Sequence, residues 1–406
     1  MATSLAVETI KKKYRNDVKN ITLPPPLPAG PVKKKHIASP RLGEILSKLK
    51  TAIAVTLEYE HALALIYAKN GKVQIHYLEI PHPSGMFFDG EHLIVSSTRS
   101  PNQIVFFRAL PREFYSETVP TTLSNLRSSE LKSARSRLSE PLLIPTKSLF
   151  LPGQFSVHDV VKFKKDLYTV ATGLNFLAKV SPEGGFERVW NPKCVDRLGG
   201  RAFQTNYLQL NSIAKGKMIR DSFFTAFSDQ PTQAKPWKLG YGPKNKGVVF
   251  ESASRETIYR GLTCPHSIRN HGGKLWLCDS GMGALGTLDR KSGRYRALSK
   301  FQGFTRGLTF LGSYAIIGLS KVIPTYEPYA PGLEARKSQC GIVFFNLKTG
   351  KTDASLLWKD GFQVYDVQTL NGLDSAILPE NSSENFMNYY LTYYGWDRKW
   401  KRKKKT

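Results

Sequence analysis

Five segments of the chain share a polar residue that is followed 14 residues later by Ser or Thr. The polar residues are Ser84, His158, Asn211, His266 and Arg306, and their partners are Thr98, Thr172, Thr225, Ser280 and Ser320. A short apolar stretch lies between the two members of each pair. Imidazole, amide and guanidinium groups hold ligands by hydrogen bonds, and imidazole also binds metals or transfers protons. The recurrence therefore predicts one polar site built from equivalent positions.

The two histidines are the strongest candidates for chemistry. His158 and His266 occupy the same position in two segments, and Asp159 follows His158 directly. Because neutral imidazole is a common metal ligand and titrates near neutral pH, one interpretation is a divalent-metal site or a general acid–base pair. A second interpretation is contact with a polar ligand. A third is hydrogen bonding between neighbouring strands that holds the fold together.

Arg306 is the candidate for binding an anionic group. A guanidinium that faces a channel suits a carboxylate or a phosphate, because it forms two parallel hydrogen bonds with either. The alternative is a structural ion pair with Asp279 or Asp366 in a neighbouring repeat.

Residues 281–286 fit the pattern G-x-G-x-x-G and follow an apolar strand. A dinucleotide fingerprint opens a helix within a βαβ unit, whereas a β-like segment and a Lys-Ser-Gly turn follow here. We therefore interpret these residues as a loop between strands and expect no nucleotide cofactor. The chain also lacks the P-loop, H-E-x-x-H, G-x-S-x-G and zinc-finger spacings.

Short strands are the elements that position these residues. Residues 265–299 have the pattern of four strands separated by a Gly-Gly turn, a Gly-rich loop and a Lys-Ser-Gly turn. Four antiparallel strands in about 40 residues make one propeller blade. The five segments and a sixth unit predict an all-β fold, a six-bladed β-propeller. The sixth blade begins at 364–368 and is closed by N-terminal strands at 52–58, 62–67 and 72–79, because such closure removes exposed sheet edges.

The expected mouth of the channel collects the polar residues. The first strand of each blade lines the channel and the second runs back, so the start of the first and the end of the second meet at one face. The candidate ligand-binding residues there are His158, Asp159, Asn211, His266, Asp279, Ser280, Arg306 and Asp366. A long loop at residues 321–339 exceeds a simple turn and is a candidate lid or binding loop.

The charge of the chain is strongly unbalanced. It has 59 Lys and Arg against 32 Asp and Glu, a net charge of +27. Much of the excess lies in a basic, Pro-containing leader at residues 1–50 and a basic tail at 396–406, which flank a propeller at 51–395 with an insertion at about 110–150. Runs of like charge repel each other, which predicts flexible tails. They serve either solubility or the binding of a polyanion such as nucleic acid, anionic lipid or an acidic partner.

Cysteine usage and hydropathy exclude other classes. The four cysteines are scattered without a C-x-x-C pair, which argues against a disulfide scaffold and favours a reducing, cytoplasmic compartment. No run of about 18 apolar residues occurs, so we expect no membrane span. The N-terminus lacks the apolar core of a signal peptide.

Several ordered motifs resemble an uncharacterised bacterial family of conserved hypothetical proteins. The motifs are HDV (158–160), PHS (265–267), DSGMGALG (279–286), GFTRGL (303–308), IGLSK (317–321) and DVQ (366–368). The resemblance runs from about residue 50 to 372 and implies a propeller-like domain of unknown function. It also places His158, Asp159, Asn211, His266, Asp279 and Arg306 on the family's hallmark positions. Where the family pattern has H-L-N-G, this chain has Gln209-Leu210-Asn211-Ser212, which excludes a histidine at position 209.

Three functions remain open at this level. The first is a binding module that takes a small polar molecule or a peptide at the channel mouth, through Arg306, His158, His266 and Asn211. The second is a metal-dependent hydrolase, lyase or isomerase at the same mouth, with His158 and His266 as metal ligands. The third is a scaffold that associates with nucleic acid or another polyanion through the basic tails.

Overall fold

The structure, a computed structural model, describes residues 34–99, 101–110, 141–231 and 242–378. The basic tail at 396–406, most of the leader and residues 111–140 of the predicted insertion lie outside these ranges. Within them, no helix has the length and the apolar character needed to cross a membrane.

Six antiparallel sheets surround a central channel. Their first strands contact one another in a closed ring, so that every sheet has two neighbours. This confirms the predicted six-bladed propeller. It also explains the apolar second strands, which are buried at nearly every position because both faces of a blade pack against other blades.

The N-terminal elements belong to the last blades. Strand β1 is His36–Ala38 and helix α1 is Leu42–Leu49. Blade 6 contains β2 (Ala52–Leu57), β3 (Ala62–Lys69), β4 (Lys72–Glu79) and, as its first strand, β25 (Val364–Leu370). Blade 1 contains β5 (Pro83–Phe88), β6 (His92–Thr98), β7 (Asn102–Leu110) and β8 (Leu142–Phe150).

The other four blades follow in chain order. Blade 2 contains β9 (Val157–Phe163), β10 (Asp166–Ala171), β11 (Phe176–Val180) and β12 (Phe186–Trp190). Blade 3 contains β13 (Ser212–Ala214), β14 (Phe223–Ala226), β15 (Gly247–Glu251) and β16 (Thr257–Leu262). Blade 4 contains β17 (Pro265–His271), β18 (Lys274–Asp279), β19 (Ala284–Leu288) and β20 (Tyr295–Lys300). Blade 5 contains β21 (Phe304–Leu311), β22 (Tyr314–Ser320), β23 (Gly341–Asn346) and β24 (Lys351–Trp358).

Short 3₁₀ turns join some strands. They are Thr172–Leu174, Lys193–Phe203, Ile219–Asp221, Ser280–Met282, Pro324–Tyr329 and Ala335–Lys337. The glycine-rich stretch 281–286 lies in the turn Ser280–Met282 and in β19. The stretch connects β18 to β19 and continues into β19, as the sequence predicts, and it does not open an α-helix.

Both chain ends close the ring. β2 pairs with β25 in antiparallel register, with Thr56 opposite Asp366, so the N-terminal strands complete blade 6 as predicted. β1 adds a fifth strand to blade 5 by pairing with β24. Helix α1 buries Leu42, Ile45 and Leu46 against blades 5 and 6. This second closure lies inside the predicted leader, whose residues from 36 onward therefore belong to the propeller.

The predicted insertion at 110–150 also ends earlier than expected. Residues 142–150 form β8, the outer strand of blade 1, which pairs with β7 along its whole length. Its sequence, with Pro145 and a polar centre, has no clear alternation of apolar residues. It forms because the exposed edge of β7 needs a hydrogen-bonding partner.

Gly307 shows how closely the first strands approach at the axis. Its φ of 80° is one that side chains disfavour, and a Cβ at this position would lie 2.8 Å from the backbone nitrogen of Val367 in blade 6. The glycine after Arg306 therefore lets blades 5 and 6 meet without a clash.

Candidate functional site

A cavity of about 840 Å³ opens at the mouth where the first strands begin. Four residues, which we call the mouth set, line this cavity and also border a space of about 10 Å³ further along the channel. The mouth set consists of His158, His266, Arg306 and Tyr365. The cavity has the size of a site for a small molecule.

Irregular strand pairing sets the direction of the side chains of the mouth set. The register between first and second strands shifts at His158, at His266, at Arg306 and at Tyr365. A β-bulge interrupts the ladder and changes the direction of side chains, which is why bulges are common next to functional sites. The repeated position in the sequence is thus a repeated bulge.

Four residues adjacent to this position, which we call the clasp set, have a different role. Asp159, Ser212, Ser267 and Asp366 each accept a hydrogen bond from a backbone amide of the next blade. The donors are Ile213, Ile268, Gly307 and Met86, at 3.1, 3.1, 2.8 and 2.8 Å. One interpretation of the sequence gave the histidines hydrogen bonds between neighbouring strands. In the structure, the residues that directly follow the histidines, Asp159 and Ser267, make these bonds.

Arg269 ties the two acidic members of the clasp set together. Its guanidinium lies 2.9 Å from Asp159 of blade 2 and 3.5 Å from Asp366 of blade 6. Burial and the charge of Asp159 raise the pKa of Asp366 to about 6, although Arg269 opposes this shift. Arg269 lies three residues after His266 in the same strand and is not among the residues predicted from the sequence.

Both histidines of the mouth set have one defined tautomer. Nδ1 of His158 lies 2.9 Å from the carbonyl oxygen of Ser156, and Nδ1 of His266 lies 2.9 Å from that of Cys264. Since a carbonyl only accepts, each Nδ1 carries the proton and each Nε2 is an acceptor. Ser156 and Cys264 have φ of 48° and 49°, and this left-handed turn brings their carbonyls to the imidazoles.

Both imidazoles are neutral at physiological pH. Burial, and then the charge of Arg306, lowers the pKa of His158 to about 3. The same two causes hold the pKa of His266 well below its usual range. A site with two neutral acceptors next to a cation favours ligands that donate hydrogen bonds and carry negative charge.

Gln209 completes the environment of His158. Its amide nitrogen lies 3.1 Å from Nε2 of His158 and donates to it. Gln209 also lines the cavity. Nε2 of His266 has no such donor among the residues that the structure describes.

Arg306 is a buried cation that forms no ion pair with the residues described by the structure. Only 8% of its surface is exposed, and its guanidinium carbon lies 3.4 Å from the ring centroid of Tyr365. In the described ranges no carboxylate lies within 4.0 Å of it. The ion pair with Asp279 or Asp366 is absent there, because Asp366 pairs with Arg269 and Asp279 binds the backbone amide of Thr263 at 2.7 Å.

Among the described residues, Glu58 is the acidic side chain that lines the cavity, and it is not among the residues predicted from the sequence. Its carboxylate lies 2.8 Å from the guanidinium of Arg99, and burial raises its pKa against the charges of Arg99 and Arg306. Leu57 pairs with Val364 as Asp279 pairs with Pro265, so Glu58 stands where blade 4 has Ser280. The 14-residue spacing hides this equivalence, because blade 6 is assembled from both ends of the chain.

The predicted site residues separate into three groups. His158, His266 and Arg306 line the mouth cavity. Asp159, Asn211 and Asp366 border the small space further along the channel. Asp279 and Ser280 line neither; Ser280 lies 3.1 Å from Nδ1 of His266 and supports it. Of the predicted residues, His158, His266 and Arg306 thus share the mouth cavity, whereas the other five do not line it, and ligand binding by any of them stays a prediction.

A set of metal ligands around the two histidines is not found among the described residues. In the part of the chain that the structure describes, no group of three or more His, Cys, Asp or Glu side chains could hold a metal ion. The acidic neighbour Asp159 is engaged by Arg269 and by a backbone amide.

The loop at 321–339 forms one wall of the cavity. Val322, Ile323, Tyr329 and Ala330 line it. The amide of Gly332 binds the carbonyl of Gly281 at 2.9 Å, and the amide of Gln339 binds that of Gln302 at 2.7 Å. These hydrogen bonds fasten the loop to blades 4 and 5.

Fold and site define a six-bladed propeller with a polar cavity at one mouth. The chain belongs to the family described as "Domain of unknown function (DUF4915)", whose model matches residues 40–378. This confirms the family resemblance that the sequence motifs indicate. No curated protein matches the chain.

Solved structures share the shape of the chain at low sequence identity. A chain of a nidogen/laminin complex is 11% identical with a TM-score of 0.48, and the match covers 79% of this chain and 98% of that one. Virginiamycin B lyase from Staphylococcus aureus is 13% identical with a TM-score of 0.36, covering 64% and 71%. A protein of unknown function from Bacteroides caccae is 9% identical with a TM-score of 0.33, covering 79% and 99%.

Proposed function

We propose that the chain is a binding module that takes a small ligand with an anionic group in the mouth cavity. One observation carries this proposal: Arg306 is buried in the wall of the cavity and has no carboxylate partner in the described ranges. A buried cation without a partner is costly, and an incoming carboxylate or phosphate removes that cost by pairing with it.

The charges around Arg306 support an anionic ligand. The cavity is lined by the cations Arg99, Arg306 and Lys321 and by one acidic residue, Glu58. Glu58 forms its direct ion pair with Arg99, whereas Arg306 acts on that carboxylate only from beyond ion-pair distance. The aromatic ring of Tyr365 fixes the guanidinium plane, which lowers the entropy lost when a ligand binds.

A matched pair of ligands tests the proposal. Benzoate and benzamide have the same shape, and only benzoate is an anion. We expect isothermal titration calorimetry to show binding of benzoate and at least about tenfold weaker binding of benzamide. Arg306→Gln should abolish the difference, whereas Arg296→Gln, an exposed arginine of β20, should preserve it.

Two results would overturn the proposal. One is the absence of benzoate binding to the unaltered chain. The other is equal binding of benzoate by the chain and by Arg306→Gln. Thermal unfolding provides a control, because Arg306→Gln removes an unpaired buried cation and should not lower the stability of the unliganded protein.

The basic tails support a second function, association with a polyanion. Seven of the residues at 396–406 are Lys or Arg, and they lie outside the described ranges. If this tail binds RNA, the logarithm of the affinity should fall linearly with the logarithm of the salt concentration, by about 0.7–0.9 per neutralised phosphate. Equal salt dependence after deletion of 396–406 would refute this function.

A further inference from the structure

We propose that the ligand is a hydroxy acid with an apolar body. Its carboxylate would pair with Arg306, its neighbouring hydroxyl would donate to Nε2 of His266, and its aromatic or branched group would pack on the wall around Phe304. This inference rests on the proposed function and deepens it by assigning the chemical class of the ligand.

The hydroxyl follows from the difference between the two histidines. Nε2 of His158 already accepts a hydrogen bond from Gln209. Nε2 of His266 has no partner in the described ranges, while its Nδ1 is held by Cys264 and Ser280. An acceptor at the wall of a cavity needs a donor, from water or from a ligand.

The position of this acceptor places the hydroxyl beside the carboxylate. His266 and Arg306 line the same cavity and border the same space of about 10 Å³, so the cation and the imidazole are close. A ligand that pairs with Arg306 therefore brings its next few atoms to His266. A hydroxyl donates to Nε2, whereas a second anionic oxygen could only accept and would be rejected there.

The apolar body follows from the rings around His266. The ring centroids of Phe227 and Phe304 lie 5.2 and 5.5 Å from that of His266. Phe227 also packs with Tyr329, which lies in the fixed loop. The apolar residues of this part of the lining are Phe227, which follows β14, and Phe304, Val322 and Ile323 of blade 5.

The opposite part of the lining is polar. Blades 1–3 contribute Thr98, Asn102, Gln154, Thr205 and Asn206. An apolar group therefore gains more burial beside Phe227 and Phe304 than beside these polar residues, and this difference favours one orientation of the ligand relative to Arg306.

Four compounds that differ by one group each test the class. Phenyllactate carries all three features; phenylpropionate lacks the hydroxyl, lactate lacks the ring, and phenylpropanediol lacks the carboxylate. By calorimetry we expect phenyllactate to bind at least about tenfold more tightly than lactate and the diol, because each lacks a large contribution. We expect phenyllactate to bind about threefold to tenfold more tightly than phenylpropionate, which is the range of one hydrogen bond.

Two variants assign these differences to residues. Phe304→Ala should weaken the binding of phenyllactate at least about tenfold and leave the binding of lactate nearly unchanged. Phe310→Ala is the matched control, because Phe310 is in the same strand but does not line the cavity. His266→Phe should make phenyllactate and phenylpropionate equal, and if this variant does not fold, the compound series still decides.

The outcomes separate this inference from the proposed function. If all three acids bind equally well and Arg306→Gln abolishes their binding, the hydroxy-acid class is wrong and the anion site remains. If none of the four compounds binds and benzoate does not bind either, both proposals fail. Equal weakening by Phe304→Ala and Phe310→Ala would also reject the apolar wall.

Discussion

The mouth set and the clasp set are neighbours in sequence but differ in how their polar groups are satisfied. Every member of the clasp set accepts a hydrogen bond from a backbone amide of the next blade, and Arg269 pairs with its two carboxyl groups. In the mouth set, by contrast, Arg306 has no acidic partner in the described ranges, and the hydroxyl of Tyr365 has no hydrogen-bond partner there. The difference shows that one layer holds the ring together, and it supports our proposal that the other binds a ligand, because unsatisfied buried groups lower stability and call for an explanation such as a bound partner.

The largest effect should come from removing the cation of the clasp set. Arg269→Met leaves the carboxylates of Asp159 and Asp366 buried without a cation. We expect the free energy of unfolding to fall by about 3–5 kcal/mol, the usual cost of breaking a buried ion pair from one side. Urea unfolding measures this loss, and Arg306→Met is the control from the mouth set. Similar losses in the two variants would contradict the division into two layers.

A second large effect should come from the closure at the periphery. Leu46 of helix α1 is 2% exposed and packs in the core shared by blades 5 and 6. Leu46→Ala should lower the free energy of unfolding by about 2–5 kcal/mol through lost burial and a cavity. Lys48→Ala, on the exposed side of the same helix, should have little effect. If Leu46→Ala is neutral, the axis alone holds the ring.

Acidification should weaken the fold through the mouth set. The pKa of His158 is lowered to about 3, so its imidazole stays neutral in the folded chain at pH 5 but takes up a proton in the unfolded chain. Between pH 7 and pH 5 this residue should reduce the free energy of unfolding by about 2 kcal/mol. His158→Gln should remove that part of the pH dependence.

The clasp set should respond to acid with the opposite sign. The pKa of Asp366 is raised to about 6, so at pH 5 its carboxyl is mostly protonated when folded and ionised when unfolded. This residue should therefore add about 1 kcal/mol of stability between pH 7 and pH 5. Asp366→Asn should make the loss on acidification steeper. If His158→Gln and Asp366→Asn change the slope in the same direction, the comparison of the two layers is wrong.

The smallest effect concerns the amide that satisfies His158. Gln209→Ala removes the donor to Nε2 of His158 and keeps a Cβ at a position with φ of 53°, so backbone strain is unchanged. We expect the free energy of unfolding to fall by about 0.5–1.5 kcal/mol, the range of a single hydrogen bond. An unchanged value in urea unfolding would mean that water replaces the amide.

The blades are predictable from the sequence because strand length and apolar runs are local. The interval of 14 residues measures one first strand, one turn and one second strand, and in two blades its ends touch directly. Asn211 lies 2.8 Å from Thr225, and His266 lies 3.1 Å from Ser280. The closure of blade 6 was also predictable, since three N-terminal strands lacked a first strand of their own.

The partner of each charged group was decided by the tertiary structure alone. Asp366 pairs with Arg269, which is 97 residues away in sequence, and not with Arg306, although both arginines lie on first strands. Bulges separate the two layers by changing the direction of consecutive side chains. The repeated position in the sequence coincides with these bulges but does not reveal their geometry. Glu58 stayed hidden for a related reason, because the ring joins the two ends of the chain and the local spacing is lost there. The sequence by itself thus determined the repeated unit and the equivalent positions, while distances across the channel determined which of these positions hold the ring and which remain available for a ligand.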